Sequence, residues 1–243
     1  TQMEILLKKT NCKFVYADYE SSYSHCLLSQ SRKIPGMISF SLTNSLGYFP
    51  ELRKYRCSEY LFVWGKYMES LLEESGIDSE HIVTVGYTNE SRNQLIQSQS
   101  VRGKYLKSYQ GIIAVYDTTI GIFCSTYDII QMISSIINIA KNNNYYVLIK
   151  PKKKLNQSVH DAINIYNGHY SVIDEGMRGS LSCGYAADLV VGYGLSTITN
   201  ILATHGKKIV LFEPYDNLWD KYPYYDEKHR IISRSLKSLE ENV

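Results

Sequence analysis

The chain is 243 residues long and 44% hydrophobic, with 26 Lys and Arg against 24 Asp and Glu for a formal charge of +2. That length and apolar content allow one large domain or two smaller ones, and the near balance of charge leaves no electrostatic footprint for nucleic acid. No apolar run approaches the ~20 residues of a membrane helix. The five cysteines (Cys12, Cys26, Cys57, Cys124, Cys183) are scattered, odd in number and without a CxxC. They are expected to be buried thiols in a reducing, cytoplasmic setting. The chain opens Thr-Gln with no secretion-signal pattern, so a processed or truncated start stays open.

In chain order, "KFVYA" (13–17) reads as a strand, followed by a helix that puts Tyr23, Leu27 and Leu28 on one face. "GMISFSL" (36–42) and "EYLFVWG" (59–65) are further strands. After Gly65, Met68, Leu71 and Leu72 recur at helical spacing up to a capping Gly76, and "HIVTVG" (81–86) is the fourth strand. Residues 87–110 turn polar and rich in Ser, Gln and Asn, which predicts a linker between domains.

A second alternating series follows: strand "GIIAVYD", a helix striped by Ile129, Met132, Ile133, Ile136, Ile137 and Ala140, then strand "YYVLIK". Helix "NQSVHDAINIYN" and strand "HYSVID" come next, and strand "ADLVVG", helix "STITNILATHG" and strand "KIVLFE" close it. Such alternation predicts parallel βαβ units in two α/β parts. The first, 1–86, has too few strands and resembles the second half of a domain whose beginning is missing. The second, 111–224, is a complete five-stranded unit, and 225–243 reads as a surface helix.

Ligands of open parallel sheets bind beyond the carboxyl ends of the strands. In the second part those ends carry Asp117-Thr118, Lys150-Pro151-Lys152, Asp174-Glu175, the stretch Gly192 to Thr197, and Glu213. At "GYGLST" the hydroxyl of Ser196 can cap a helix, and Gly192 and Gly194 let the backbone approach a ligand. Free N–H groups at the positive helix end favour an anion, above all a phosphate. Plain N-capping with turn glycines explains the same residues, and both readings stand. Lys150, driven to a strand end by Val147-Leu148-Ile149, suits a pyrophosphate or a solvated turn equally. In the first part Asp18 and Glu20 follow the opening strand, where a carboxylate can act as general base or simply start a helix. No histidine has metal-ligand spacing, and no Walker A, GxGxxG or GxSxG is present.

The order of "FVWGKYMESLLEESGIDSEHIVTVGYT", "IIAVYDTT", "YYVLIKPKKK" and "ADLVVGYGLSTITNILATHGKKIVLFEP" resembles glycosyltransferases of the GT-B architecture, with two Rossmann-like domains. The likeness is closest to bacterial enzymes of capsule and surface-polysaccharide assembly. It implies a nucleotide-sugar donor lying on the second domain against Asp117, Thr118, Lys152, Glu175 and Gly194. Ser196 and Thr197 would hold its diphosphate and Lys150 would neutralise the leaving group. It also implies a saccharide acceptor, no metal or other cofactor, and no nucleic acid. Location would be the cytoplasm, with peripheral attachment to a membrane-bound assembly complex at the inner face. The family commonly places a Glu in the helix after the glycine-serine turn to bind ribose hydroxyls; here Asn200 stands there, and Glu213 is the candidate to take over. A sugar-nucleotide epimerase, a polyol-phosphate transferase and a non-catalytic nucleotide-sugar-binding module are the competing readings.

Overall fold

The computed structural model describes residues 2–17, 22–42, 58–74, 76, 80–87, 92–118, 124–173, 178–194, 196–215 and 230–243. They form two compact units, Thr1–Asn89 and Glu90–Val243.

The first unit runs α1 (Gln2–Lys9), β1 (Phe14–Ala17), α2 (Ser22–Ser31), β2 (Ile38–Leu42), β3 (Tyr60–Val63), α3 (Lys66–Glu74) and β4 (His81–Thr84). All its strand pairs are parallel, in the spatial order β1-β2-β3-β4. Right-handed crossovers between strands laid down in one direction put every connecting helix on the same face. Val15 accordingly packs with Leu7, Leu28 and Met37, while Leu61 and Val63 pack with Met68 and Leu72. The opposite face carries Phe14, Tyr16 and Val83, at 60%, 46% and 36% exposure. On that face an aromatic row crosses the strands, Tyr16 to Phe40 at 5.1 Å and Phe40 to Phe62 at 6.0 Å between centroids. Parallel sheets are ordinarily covered on both faces. Four strands with one helical layer among the described residues match the expected incomplete first domain.

The second unit comprises α4 (Arg92–Tyr105), β5 (Gly111–Tyr116), α5 (Thr126–Asn142), β6 (Tyr145–Lys150), α6 (Gln157–Ile163), a 3₁₀ turn (Asn164–Tyr166) and β7 (Tyr170–Val172). It continues with α7 (Arg178–Ala186), β8 (Leu189–Tyr193), α8 (Thr197–Thr204), β9 (Lys208–Phe212), β10 (Arg230–Ser233) and α9 (Leu236–Asn242). Its sheet is parallel throughout, in the order β10-β9-β8-β5-β6-β7. Among the described residues no strand pairing joins the two sheets.

β5 lies in the middle and is buried along its whole length. The predicted Ile stripe of α5 is entirely buried and packs on Val115, Val147, Ile149 and Val191. Each such side chain contributes about 1.5–3 kcal/mol by leaving water. The chain winds one way from β5 through β6 to β7 and the other way through β8, β9 and β10. The carboxyl ends of β5, β6 and β8 therefore border the switch point, where α/β sheets open a crevice.

Three segments depart from expectation. The polar stretch 87–110, read as a linker, is helical from Arg92 to Tyr105 and clusters with the second unit. Its contacts are polar, which hides a helical period: Gln94 and Ser98 are buried, and Ser182 donates to Gln97 Oε1 at 3.0 Å. Arg102 donates to Ala186 O at 2.8 Å and to Asp188 Oδ1 at 2.7 Å. A further helix, α7, stands between β7 and β8 where none was predicted. The tail 225–243 is not one surface helix: Arg230–Ser233 adds a sixth strand to the sheet before α9 begins.

Candidate functional site

The carboxyl edge of the second sheet collects most of the residues singled out in the sequence. Asp117 follows β5 and is half-buried. Its Oδ1 accepts the backbone N–H of Lys152 at 2.5 Å, pinning the loop after β6 to the end of β5. Burial raises its carboxyl to about 6; the Lys152 N–H and the charges of Lys150 and Lys152 oppose that rise without cancelling it. Thr118 sits half-buried beside it.

Lys150 ends β6 with only 4% exposure, and its Nζ donates to Pro151 O at 2.9 Å. A buried ammonium is costly unless paired, so Lys150 is a held, desolvated cation at the end of a central strand. Lys152, by contrast, is exposed.

The glycine-serine turn is built tightly. Gly192 faces α8, where a Cβ would meet Thr199 Cγ2 at 2.9 Å, so packing of strand on helix accounts for that glycine. Gly194 has φ +64°, a conformation that L side chains avoid, and a Cβ there would lie 4.0 Å from Glu213 Oε1. Ser196 caps α8 reciprocally with Thr199: Thr199 N–H donates to Ser196 Oγ at 3.2 Å, and Ser196 N–H donates to Thr199 Oγ1 at 3.1 Å. The capping expectation for Ser196 thus holds, and the N–H groups of Thr197 and Ile198 are left at the open first turn.

Asn200 is 6% exposed, and neither Oδ1 nor Nδ2 has a hydrogen-bond partner among the described residues. An unmatched buried amide costs about 1–3 kcal/mol. It is the fourth residue of α8, and its backbone N–H closes the first turn by donating to Ser196 O at 3.1 Å.

Glu213, directly after β9, is fully buried. Arg234 donates from one guanidinium nitrogen to Glu213 Oε2 at 3.3 Å, and to Glu213 O and Tyr215 O at 3.4 Å each. Parallel pairing of β10 with β9, Ser233 opposite Phe212, brings Arg234 there. The sequence reading missed this residue because it took the tail for a helix. The β-branched pair Ile231-Ile232 ahead of the capping Ser235 was the available signal.

Lys150, Gly194, Ser196, Thr197, Asn200 and Glu213 thus belong to one sheet edge. Asp117 and Lys152 bind each other there. Asp18, Glu20 and Glu175 lie outside the described residues. Among the described residues no group of three or more His, Cys, Asp or Glu is arranged to hold a metal ion, and no helix is long and apolar enough to cross a membrane. Cys124 and Cys183 are buried, and burial pushes their thiols up to about 11 and about 12. They are unreactive packing groups.

No family model and no curated protein matches the chain. Solved structures do. A UDP-N-acetylglucosamine 2-epimerase assignment from Listeria monocytogenes superposes with TM-score 0.66 at 11% identity, over 99% of this chain and 67% of that one. The wall teichoic acid polymerase TagF (H444N variant) gives 0.60 at 10% identity, over 94% and 62%. A glycosyltransferase from Rickettsia africae gives 0.54 at 12% identity, over 99% and 68%. The chain thus spans about two thirds of the length of these structures. At such identities the likeness is one of fold. The chain is an α/β protein of the GT-B architecture, with two Rossmann-like units of which the first is incomplete.

Proposed function

We propose that the protein is a nucleotide-sugar-dependent glycosyltransferase that moves a sugar to a saccharide acceptor in surface-polysaccharide assembly, acting at the cytoplasmic face of the membrane without a metal. The observation that carries the donor site is the buried amide of Asn200, in the first turn of α8 and without a partner among the described residues. A protein retains such an orphan where a ligand completes it. The diphosphate lies against the N–H groups of Thr197 and Ile198 and the Ser196 turn, at the positive end of the helix. Gly194 leaves space for its approach. Asn200 and Glu213 receive the ribose: the amide both donates and accepts, and the carboxylate accepts from a hydroxyl.

Bond breaking between sugar and phosphate moves negative charge onto the leaving diphosphate. Lys150, desolvated and held in place, and the α8 end stabilise that charge as it develops. A carboxylate takes the acceptor proton; Asp18 and Glu20 are the candidates. Asp117, Thr118 and Lys152 line the donor side, and Glu175 is assigned to the donor from the sequence alone. Attachment to a membrane-bound assembly complex would bring the acceptor.

The Listeria neighbour acts, by its name, on a nucleotide sugar too, which keeps an epimerase as the second reading. One experiment separates the two. A thermal-shift screen of nucleotides and nucleotide sugars identifies the donor, because ligands of the native state raise the melting temperature. Product analysis from the labelled donor then follows. Label transferred to an added saccharide supports the transferase, and an epimerised nucleotide sugar supports the alternative. If no nucleotide or nucleotide sugar raises the melting temperature, the donor site is refuted.

A further inference from the structure

The peptide group between Pro151 and Lys152 is gripped at both ends. Its N–H donates to Asp117 Oδ1 at 2.5 Å, and its C=O accepts from Lys150 Nζ at 2.9 Å. A peptide unit is planar and conjugated, so a carboxylate and an ammonium are joined through one polarisable group. Strand pairing sets this up: Tyr116 of β5 lies opposite Lys150 of β6, and the two chains leave the sheet side by side at Asp117 and Pro151. We infer that Asp117 is the positioning residue for Lys150, holding the Pro151–Lys152 peptide so that its carbonyl keeps the ammonium fixed at the strand end. This rests on the role given to Lys150 above.

The charge of Asp117 is part of the device. An asparagine carbonyl would accept the same N–H with no charge to desolvate, whereas burial raises the Asp117 carboxyl to about 6. Proteins keep such a destabilising charge where function uses it. A charged acceptor strengthens the Lys152 N–H bond, and linked hydrogen bonds polarise one another, which makes the Pro151 oxygen a better acceptor for Lys150. An ammonium has three donors; among the described residues Lys150 uses one, on Pro151 O, and two remain for phosphate oxygens. The surrounding titratable groups are few. Lys150 and Lys152 act on Asp117, and Asp117 acts on Cys124 ahead of α5, whose thiol burial pushes up to about 11. On the other side Lys150 acts on Cys183 of α7, pushed up to about 12 by burial, beside the Tyr116 phenol that burial keeps neutral. Among these groups, Asp117 alone changes charge between about pH 5 and about pH 8.

The carboxyl is ionised above about 6, so its support of Lys150 is present above that pH and lost as pH falls through it. The test is single-turnover transfer from the labelled donor found by the thermal-shift screen, with calorimetric titration of UDP. Wild type, Asp117→Asn, Lys150→Met and the double variant are compared. Asp117→Asn keeps the hydrogen bond and loses the charge; it lowers turnover about tenfold and leaves UDP affinity within about twofold. On the Lys150→Met background the same substitution changes turnover less than about twofold, because residues that act through one another are not additive. Transfer at limiting donor reports groups of the free enzyme. In the wild type it falls as pH drops through about 6, and in Asp117→Asn it is level there. Unchanged turnover in Asp117→Asn, or equal losses on both backgrounds, overturns the inference.

A second measurement needs no nucleotide. In ¹⁵N spectra of the wild type, the Lys152 amide and Lys150 ammonium resonances shift together as pH passes through about 6. In Asp117→Asn both are level over that range. A Lys150 resonance that ignores this step in the wild type overturns the inference. If the wild type transfers sugar from no nucleotide sugar that it binds, the transferase reading fails, and the two resonances alone judge Asp117.

Discussion

Replacing Asn200 with leucine should make the free protein more stable and the nucleotide complex weaker. The residue is 6% exposed, and both of its side-chain polar atoms lack a partner among the described residues. Leucine shares its branched heavy-atom outline, suits a helix and brings no polar atom. The substitution therefore removes a desolvation cost of about 1–3 kcal/mol without opening a cavity. For a unit of this size each kcal/mol moves the melting temperature by about 2–4 °C, so a rise of several degrees is expected. The bound state behaves in the opposite sense. If the amide meets a ribose hydroxyl, its loss strands the ligand's group and costs about 1–3 kcal/mol, or roughly 5- to 150-fold in Kd. Thermal melts without ligand and calorimetry with UDP measure the two effects on one preparation. A variant that melts lower than the wild type and binds UDP unchanged would refute the reasoning, because the amide would then be serving the fold.

Ser196→Ala combined with Thr197→Val should weaken nucleoside diphosphate binding by about 1–3 kcal/mol; unchanged affinity removes the diphosphate from this turn. The same variant loses the α8 cap and should cost about 1 kcal/mol of stability, read by urea unfolding. Lys150→Met should lower single-turnover transfer about 100-fold, about 3 kcal/mol, with a much smaller loss of donor affinity. Equal losses would make Lys150 a binding group only. Asp117 has its carboxyl raised from 3.8 to about 6 by burial, so it favours the folded state when protonated and loses that contribution as pH rises through this window. Asp117→Asn, which can still accept from the Lys152 N–H, should therefore be the more stable protein at neutral pH and no more stable near pH 3.5. Melts across that window check it, and parallel curves would contradict it.

Much of the fold was written locally. Alternating apolar strands and the Ile stripe of α5 predict βαβ units because burial on both faces of a parallel sheet demands continuous apolar runs, and the structure has them at β5, β6, β8 and β9. The Ser196 cap was legible for a similar reason: a hydroxyl before a helix satisfies a backbone donor one turn away, an interaction contained within four residues. Even the departure at Asn200 could be seen beforehand, since the motif around it is contiguous.

What the sequence alone did not reveal depends on distant partners. α4 carries no apolar stripe because its packing runs through polar residues: Gln94 and Ser98 are buried, Gln97 accepts from Ser182 of α7, and Arg102 donates to Ala186 of α7 and to Asp188 just before β8. Nor could local pattern show that Asp117 is spent on the Lys152 backbone, 35 residues away. That Arg234 stands over Glu213 follows only from the parallel register of β10 on β9, a pairing across 21 residues. Periodicity records which face of an element is buried. It does not record which element arrives to cover it, or which side chain that element brings.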